Sequence, residues 1–596
     1  MSAEAGLDVA GRDVDRAARR AWAWPARAVV ARAAVAAPVL ALASVLIQGF
    51  VWGWNNNVFQ LPIALGMTAW PQFRDDWFYQ SLGSYSSVIW PLLAATGGRL
   101  AGPTALLCLH LIARTATLAS LWLLLKRLNV AVLERWLVGF VLIVSPLLLK
   151  ATAVGQQTVF EDNFNQDGVA WALVVLGWLF YCQGRFAAAV ATTGPCFAVS
   201  SFTAVWTSGA LAFAGAAEVA GAAPADRAAR LRAILLKGAL GAAIALAVAA
   251  PALVWTARAL AERPHPPFDY AAYLWSYFPH HFFIAASSPR EIAGLAALAA
   301  AAAVGLARLG RPAWPLTRLL GGYILLFLVG AALPLVTHAR LALNLHLLRV
   351  DGSIVLMAAL AGTAVGLADL LRGRSIAIRA CGALALFAVL PNPGLPSLGL
   401  PSRGLAPLLP IALLAPVVLQ RTGALAWPMG GDPARWARRA ATLLLVVTFG
   451  AAASTASAQF DATHRLFAEQ QRLGAWFQSN TPVMSRILIR RAVRPGWDLV
   501  QFLAQRQVWV DWKRGAAVMW RPDLYGVWRQ RMDETAALKT VDQGAAYACG
   551  HGIRYLIEDT ADIVPAMPGR TLYNDGHAVV IDLDGACPAA VAGRAS

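Results

Sequence analysis

Long apolar runs separated by short basic or polar connections fill the first three quarters of the chain. The pattern predicts membrane spans at about 32–54, 104–125, 133–149, 168–181, 186–205, 209–220, 234–255, 291–306, 319–336, 353–371, 380–390, 405–419 and 441–456, about thirteen in all. Several are shorter than the ~20 residues that a hydrocarbon core needs. Past residue 456 the pattern changes. A helix is predicted over "ATHRLFAEQQRLGAWFQSN", stopping before Thr481-Pro482, and short β-like runs follow: "RILIRR", "VWVDW", "IRYLIED" and "HAVVIDL". Helical stretches such as "LYGVWRQRMDE" separate them, which reads as an α/β domain. The expected fold is therefore an α-helical polytopic membrane protein over residues 1–456, carrying a C-terminal α/β extracytoplasmic domain over 457–596.

Composition agrees. Hydrophobic residues make up 58% of the chain and charged ones only 14%, against about a quarter charged in an ordinary soluble domain. That much apolar surface cannot all be buried in one aqueous core, so the bilayer is the expected partner. The net charge of +18 does not argue for nucleic acid, because the arginines cluster in short connections such as "KRLN", "DRAARLR", "RLGRP", "RGRSIAIR" and "DPARWARR". Connections at 150–167, 337–350 and 391–404 carry fewer cations. The positive-inside rule then puts the N-terminus in the cytoplasm and the tail outside, as in a bacterial inner membrane protein with a periplasmic domain. The first thirty residues read as a basic flank leading into a full-length span rather than a cleavable leader. Six cysteines show no metal-type spacing; Cys549 and Cys587, both in the tail, would be free to form a disulfide in an oxidising compartment. No Walker A loop or dinucleotide fingerprint occurs.

The candidate chemistry lies in the outside connections. The first contains "WNNNVFQLPI" and then "WPQFRDDWFYQ", with Asp75 and Asp76 adjacent among aromatic residues. The second, "KATAVGQQTVFEDNFNQDG", offers Glu161, Asp162 and Asp167. A later one, "FDYAAYLWSYFPHHFF", offers His280 and His281, and "THARLALNLHLLRVDG" offers His338, Arg340, His346, Arg349 and Asp351. Each has a bland reading: solvated loop carboxylates that cap a helix, histidines in an interfacial aromatic belt, an arginine that snorkels. Asp269 and the many tryptophans read as anchors. Yet charges at a membrane boundary are costly and point to a site by default, and all of these connections should face one side.

Carboxylates can bind a hard divalent cation or take a proton from an acceptor, and arginine and histidine can neutralise a phosphate. The mixture suits a lipid-linked substrate whose tail stays in the bilayer: a sugar on a polyprenyl phosphate carrier, moved to an extracytoplasmic glycan, lipid or protein acceptor. Competing readings are a multi-pass transporter or lipid flippase and a non-catalytic assembly partner. Transporters tend to show paired halves with interrupted helices, and no such halves are visible.

These loops and spans resemble the GT-C class of membrane glycosyltransferases. The order of an acidic first loop, a second diacidic motif before the fourth span, about thirteen spans and an α/β tail is similar to the catalytic subunit of oligosaccharyltransferases. The tail order "LGAWFQSNTPVMSRILIRR" followed by "RQVWVDWKRG" is also similar. "VWVDWKRG" lacks the paired tryptophans of that subunit's motif and stands one strand later, so recognition of an asparagine acceptor is not implied. "WNNNVFQLPI", "FPHHFF" and "VDWKRG" instead resemble bacterial membrane proteins with a GT-C-like core. The resemblance implies Asp75 and Asp76 as the catalytic residues, either of them base or metal ligand, Glu161 and Asp162 with Asp76 as ligands if a Mg2+ or Mn2+ ion takes part, His280, His281, Arg340 and Arg349 as phosphate contacts, and Asp511 or Lys513 on the acceptor side.

Overall fold

A computed structural model of the chain describes residues 27–261, 267–390, 407–422, 433–490, 497–562 and 568–587. The basic N-terminal flank and the connection at 391–404 lie outside the described residues. The rest is mostly helical, with a small sheet near the C-terminus. Six helical segments among the described residues are long and apolar enough to cross a membrane: Ala28–Gln48, Pro103–Arg127, Pro224–Arg258, Pro289–Leu309, Arg311–Val336 and Arg340–Arg372. Shorter apolar helices include Gln166–Cys182, Phe186–Val199, Ile376–Val389 and Leu408–Arg421.

Two of these helices show why the bilayer is needed. The segment Arg340–Arg372 is apolar and almost wholly buried by its neighbours. Pro224–Arg258 is equally apolar, yet Leu235, Leu236, Leu240, Leu246 and Val254 are each more than half exposed. Such a stripe has no stable place in water, whereas lipid leaves it solvated and every backbone group stays satisfied within its helix.

Helix boundaries differ from the sequence pattern in several places. The run expected as one span over 186–205 is interrupted at Ser200, which adopts an extended backbone with φ −143° and ψ 100°, and the helix that follows, Ser201–Ala220, takes in the separate span expected over 209–220. The boundary expected near residue 457 falls inside one continuous helix, Pro433–Asn480, which runs from the apolar region into the tail.

The tail sheet has strands β1 (Arg486–Ile489), β2 (Gln507–Val508), β3 (Tyr555–Asp559), β4 (Arg570–Asn574) and β5 (Ala578–Asp582), in the order β2-β1-β3-β5-β4. β1 is parallel to β2 and β3; β5 is antiparallel to β3 and β4. Alternate residues serve opposite faces. Ile487, Tyr555, Ile557 and Val580 pack on Leu473 and Phe477 of the long helix, while Leu488, Leu556, Val579 and Ile581 pack on Val541, Ala545 and Ala548. β4 was not visible in the sequence, and it is an edge strand with mostly solvent-facing side chains. "VWVDW" is a strand only at its start. Asp511 Oδ1 accepts a hydrogen bond of 2.9 Å from Arg514 N and turns the chain into the 3-10 helix Lys513–Ala516. Cys549 and Cys587 form a disulfide across 38 residues of sequence.

Candidate functional site

The second connection, ending at Asn165, is fixed by bonds to three helices. Gln48 Nε2 donates to Phe160 O at 2.6 Å, and the buried Arg114 donates from Nη2 to Glu161 O at 2.6 Å. Gly155 N donates to Asp351 Oδ2 at 2.7 Å. A Cβ at Gly155 would lie 2.4 Å from Leu348 O, so only glycine lets this loop approach the turn that carries Arg349. The break at Ser200 has a use as well: its hydroxyl donates to Asp167 Oδ1 at 3.0 Å.

The tail closes the site from the other side. Tyr273 and Tyr277, in the helix Tyr270–Tyr277, donate from their hydroxyls to Gly515 O and Lys513 O, each at 2.7 Å. Trp512 packs on Tyr277 and Phe278 with ring centroids 4.6 and 4.4 Å apart. The aromatic run and "VDWKRG", far apart in sequence, are one packed unit, and its tip presents Lys513.

Between these elements lies a cavity of about 610 Å³. Its charged or titratable lining comprises Tyr85, Glu161, Asp167, His281, His346, Arg349 and Lys513. Its apolar lining includes Phe197, Phe202 and Trp206, and also Leu253 and Ala257 from the exposed apolar helix Arg227–Ala261. The cavity therefore has both polar and apolar lining, and the long apolar helices contribute to its apolar part.

The electrostatics divide it further. Asp167 Oδ2 stands 3.9 Å from Arg349 Nη2. Glu161 accepts a hydrogen bond from Asn165 Nδ2, and burial, followed by repulsion from Asp167 and Asp162, pushes its carboxyl up to about 8. Burial lowers the Lys513 ammonium. Burial likewise lowers His281, with Arg349, His346 and Lys513 adding repulsion, which favours a neutral ring. His346 is 4% exposed, and neither ring nitrogen has a hydrogen-bond partner. It also holds φ +50°; Asn55 and Gln156 in the same lining hold +56° and +55°. Backbone strain of this kind persists only where the surroundings impose it, and it clusters at functional sites.

Several expected residues fall elsewhere. Asp75 is exposed. Asp76 is the N-cap of the short helix Trp77–Ser81: Oδ1 accepts from Phe78 N and Tyr79 N at 3.0 Å each, and Oδ2 faces Gln501 and Arg514 of the tail. Capping bends its carboxylate back onto its own helix and away from the cavity lining. Asp162 also lies outside that lining, under the influence of Arg114 and His464. Among the described residues no three His, Cys, Asp or Glu side chains gather as a metal site, so the expected set Glu161, Asp162 and Asp76 is not assembled. Asp511 is buried against Arg514 and is not in the cavity lining, and burial pushes its carboxyl up to about 7. His280 and Arg340 are likewise not in the lining, whereas His281, Arg349, Glu161 and Lys513 are.

Sequence reasoning missed the weight of Asp167 and His346, and it missed Asn55, Gln156 and Ser200 altogether. The available signal was proximity: His346 and Arg349 stand three residues apart at a span entrance. No protein-family model matches the sequence, and no curated protein is similar to it.

Proposed function

We propose that the chain is a GT-C-like glycosyltransferase of about thirteen spans that moves a sugar from a polyprenyl-phosphate carrier to an extracytoplasmic acceptor. The observation that supports this reading best is the single cavity. It brings Glu161 and Asp167 together with His281, His346, Arg349 and Lys513, and it continues into apolar walls formed by membrane helices. A lipid phosphate needs both halves: cationic and neutral donors for its head, and a greasy route for its tail.

In this reading the bond between the anomeric carbon and the carrier phosphate oxygen breaks, and its electron pair leaves with the phosphate. The acceptor oxygen forms the new bond to that carbon and gives its proton to the Glu161 carboxylate. A base that titrates near the working pH is suited to this task. The leaving phosphate gains one negative charge, and Arg349 and Lys513 stabilise it where it develops. Asp167 orients Arg349. The Cys549–Cys587 disulfide supports a tail in an oxidising compartment, hence an extracytoplasmic cavity.

The test uses the purified full-length protein in lipid nanodiscs, a panel of radiolabelled sugar polyprenyl phosphates, and cell-envelope extract as acceptor. The expected result is transfer of label from one lipid by the wild type and none by Glu161→Gln. Equal transfer by Glu161→Gln would overturn the role given to that residue, and no transfer from any lipid would overturn the reading itself.

A further inference from the structure

Far from the cavity, hydrogen-bond donors are buried without acceptors. Arg135 lies one turn into the helix Val132–Val144 and is 3% exposed. Its Nε and Nη1 have no hydrogen-bond partner among the described residues. Its guanidinium sits over the ring of Trp122, 4.9 Å from the centroid, and Trp122 Nε1 is buried and unpartnered as well. Buried N–H groups are almost always satisfied, so donors left open on both sides of one contact call for an acceptor from outside the chain.

The charges at this place share one sign. The neighbouring acid is Glu134, but adjacent residues of a helix point apart, and Glu134 Oε1 accepts from Arg372 Nε at 2.7 Å. Among the described residues the charge whose field reaches Arg135 is that of Arg32, a second cation. Lys126 stands four residues after Trp122, on the same face of the helix Pro103–Arg127; it is exposed, as is Arg32. The helix end adds to the field. Ala131, at the N-cap, offers no side-chain acceptor, and a helix N-terminus carries partial positive charge. Side chains on a helix tilt toward its N-terminus, so Arg135 reaches back to that open end.

The position is a membrane boundary. Arg27–Gln48, Pro103–Arg127 and Val132–Val144 pack together through Ala33, Ala36, Leu121, Leu125, Leu137 and Val138. Arg32 and Gln48 are the two ends of one helix, about 24 Å apart at about 1.5 Å per residue. Gln48 holds the loop that carries Glu161 into the cavity, so Arg32 and Arg135 stand at the opposite end of the helices, across most of the ~30 Å of a hydrocarbon core. Trp122 and Trp136, edge to face at 5.2 Å, are the residue type enriched where lipid meets water.

We infer that Arg135, Trp122, Arg32 and Lys126 form a seat for the headgroup phosphate of an anionic phospholipid, in the leaflet opposite the cavity. The phosphate oxygens accept from Arg135 Nε and Nη1 and from Trp122 Nε1, while Arg32 and Lys126 stand at the rim. Basic pockets between membrane helices bind anionic headgroups on these terms. A headgroup of net negative charge suits three cations; the ammonium of a zwitterionic lipid would add a fourth. The seat is separate from the cavity and does not rest on glycosyl transfer.

The experiment uses the purified full-length chain, delipidated in a neutral detergent, and three probes: phosphatidylglycerol, phosphatidylcholine with the same acyl chains, and inorganic phosphate. Native mass spectrometry reads lipid binding, and competition against phosphatidylglycerol reads phosphate. Phosphatidylglycerol is expected to bind at least ten-fold more tightly than phosphatidylcholine, and Arg135→Met should abolish that preference. Arg32→Gln combined with Lys126→Gln changes only exposed positions, so it keeps the test open even where Arg135→Met fails to fold. That double variant should cut the preference at least three-fold with an unchanged melting profile in lipid-free detergent. Equal affinity for the two lipids, or an undiminished preference in the double variant, overturns the inference. Inorganic phosphate that displaces phosphatidylglycerol at equal concentration assigns the site to a free anion and overturns the lipid seat.

Discussion

Asp76 Oδ2 lies 3.4 Å from Arg514 Nη2, a buried contact between the first long loop and a tail residue 438 positions later. Arg514 Nε also stands 3.3 Å from Asp511 Oδ2, and its guanidinium lies over Trp77 and Phe78. This group holds the tail against the helical body, and Lys513 immediately precedes Arg514 in the chain. Removing one member strands the others as uncompensated buried charges, which costs about 3–5 kcal/mol. Arg514→Met is therefore expected to lower the thermal midpoint of the intact protein and to expose the junction to limited proteolysis. An unchanged melting curve and protease pattern would show that the group does not hold the tail.

Asp76→Asn has a different expected outcome. Asparagine caps a helix about as well as aspartate, so Trp77–Ser81 should persist. Sugar transfer should fall only as far as docking of the tail weakens. Glu161→Gln should lower kcat about 10²–10⁴-fold, the usual range for losing a general base. Steady-state kinetics of the two variants side by side rank the acids; a greater loss from Asp76→Asn would return the catalytic role to it.

Glu161 also predicts a pH effect on stability. Its carboxyl is raised from 4.5 to about 8 in the folded state, so between those values the folded protein holds a proton that the unfolded chain has released. The contribution is most favourable below 4.5 and is lost progressively as pH rises toward 8. Glu161→Gln should remove this slope, gaining stability relative to wild type at pH 8 more than at pH 5. Thermal midpoints across that range check the sign, and a difference that shrinks with pH would contradict it.

Gly155→Ala tests the close approach. The added methyl would meet the backbone oxygen of Leu348, which has no flexible end to move aside. Overpacking of this kind costs about 1–3 kcal/mol. The expected result is lower stability together with a raised KM for the lipid donor, since the loop and the Arg349 turn must separate. A KM equal to wild type would mean that their spacing does not matter to the site.

The tail disulfide makes a localisation prediction. Non-reducing alkylation of intact cells should leave Cys549 and Cys587 unlabelled, and both should label after reduction. Cys549→Ser should lower the stability of the tail by about 2–4 kcal/mol, the usual effect of removing a bridge. Free thiols at both positions in native membranes would argue for a reducing compartment and against the extracytoplasmic placement.

Much of the fold was legible because apolar periodicity and length are properties of neighbouring residues. The apolar helices such as Pro103–Arg127 and Asp351–Arg372, and strands β1, β3 and β5, coincide with runs visible in the sequence. The break at Ser200 was hidden inside an apolar stretch, and β4 lacks the alternation that marks a strand with a buried face. The loops that build the site were also readable, since polar residues at span ends are conspicuous.

What the sequence could not decide was the direction of each side chain. Asp75 and Asp76, or Glu161 and Asp162, are equivalent as letters, yet only Glu161 enters the cavity lining. Asp76 is claimed by the backbone amides that follow it and by an arginine more than four hundred residues away. Local pattern determined that acids and cations would stand at one end of a helical membrane body. Tertiary packing decided which of them meet, because capping, ion pairing and a glycine-only approach each fix a carboxylate through partners distant in sequence.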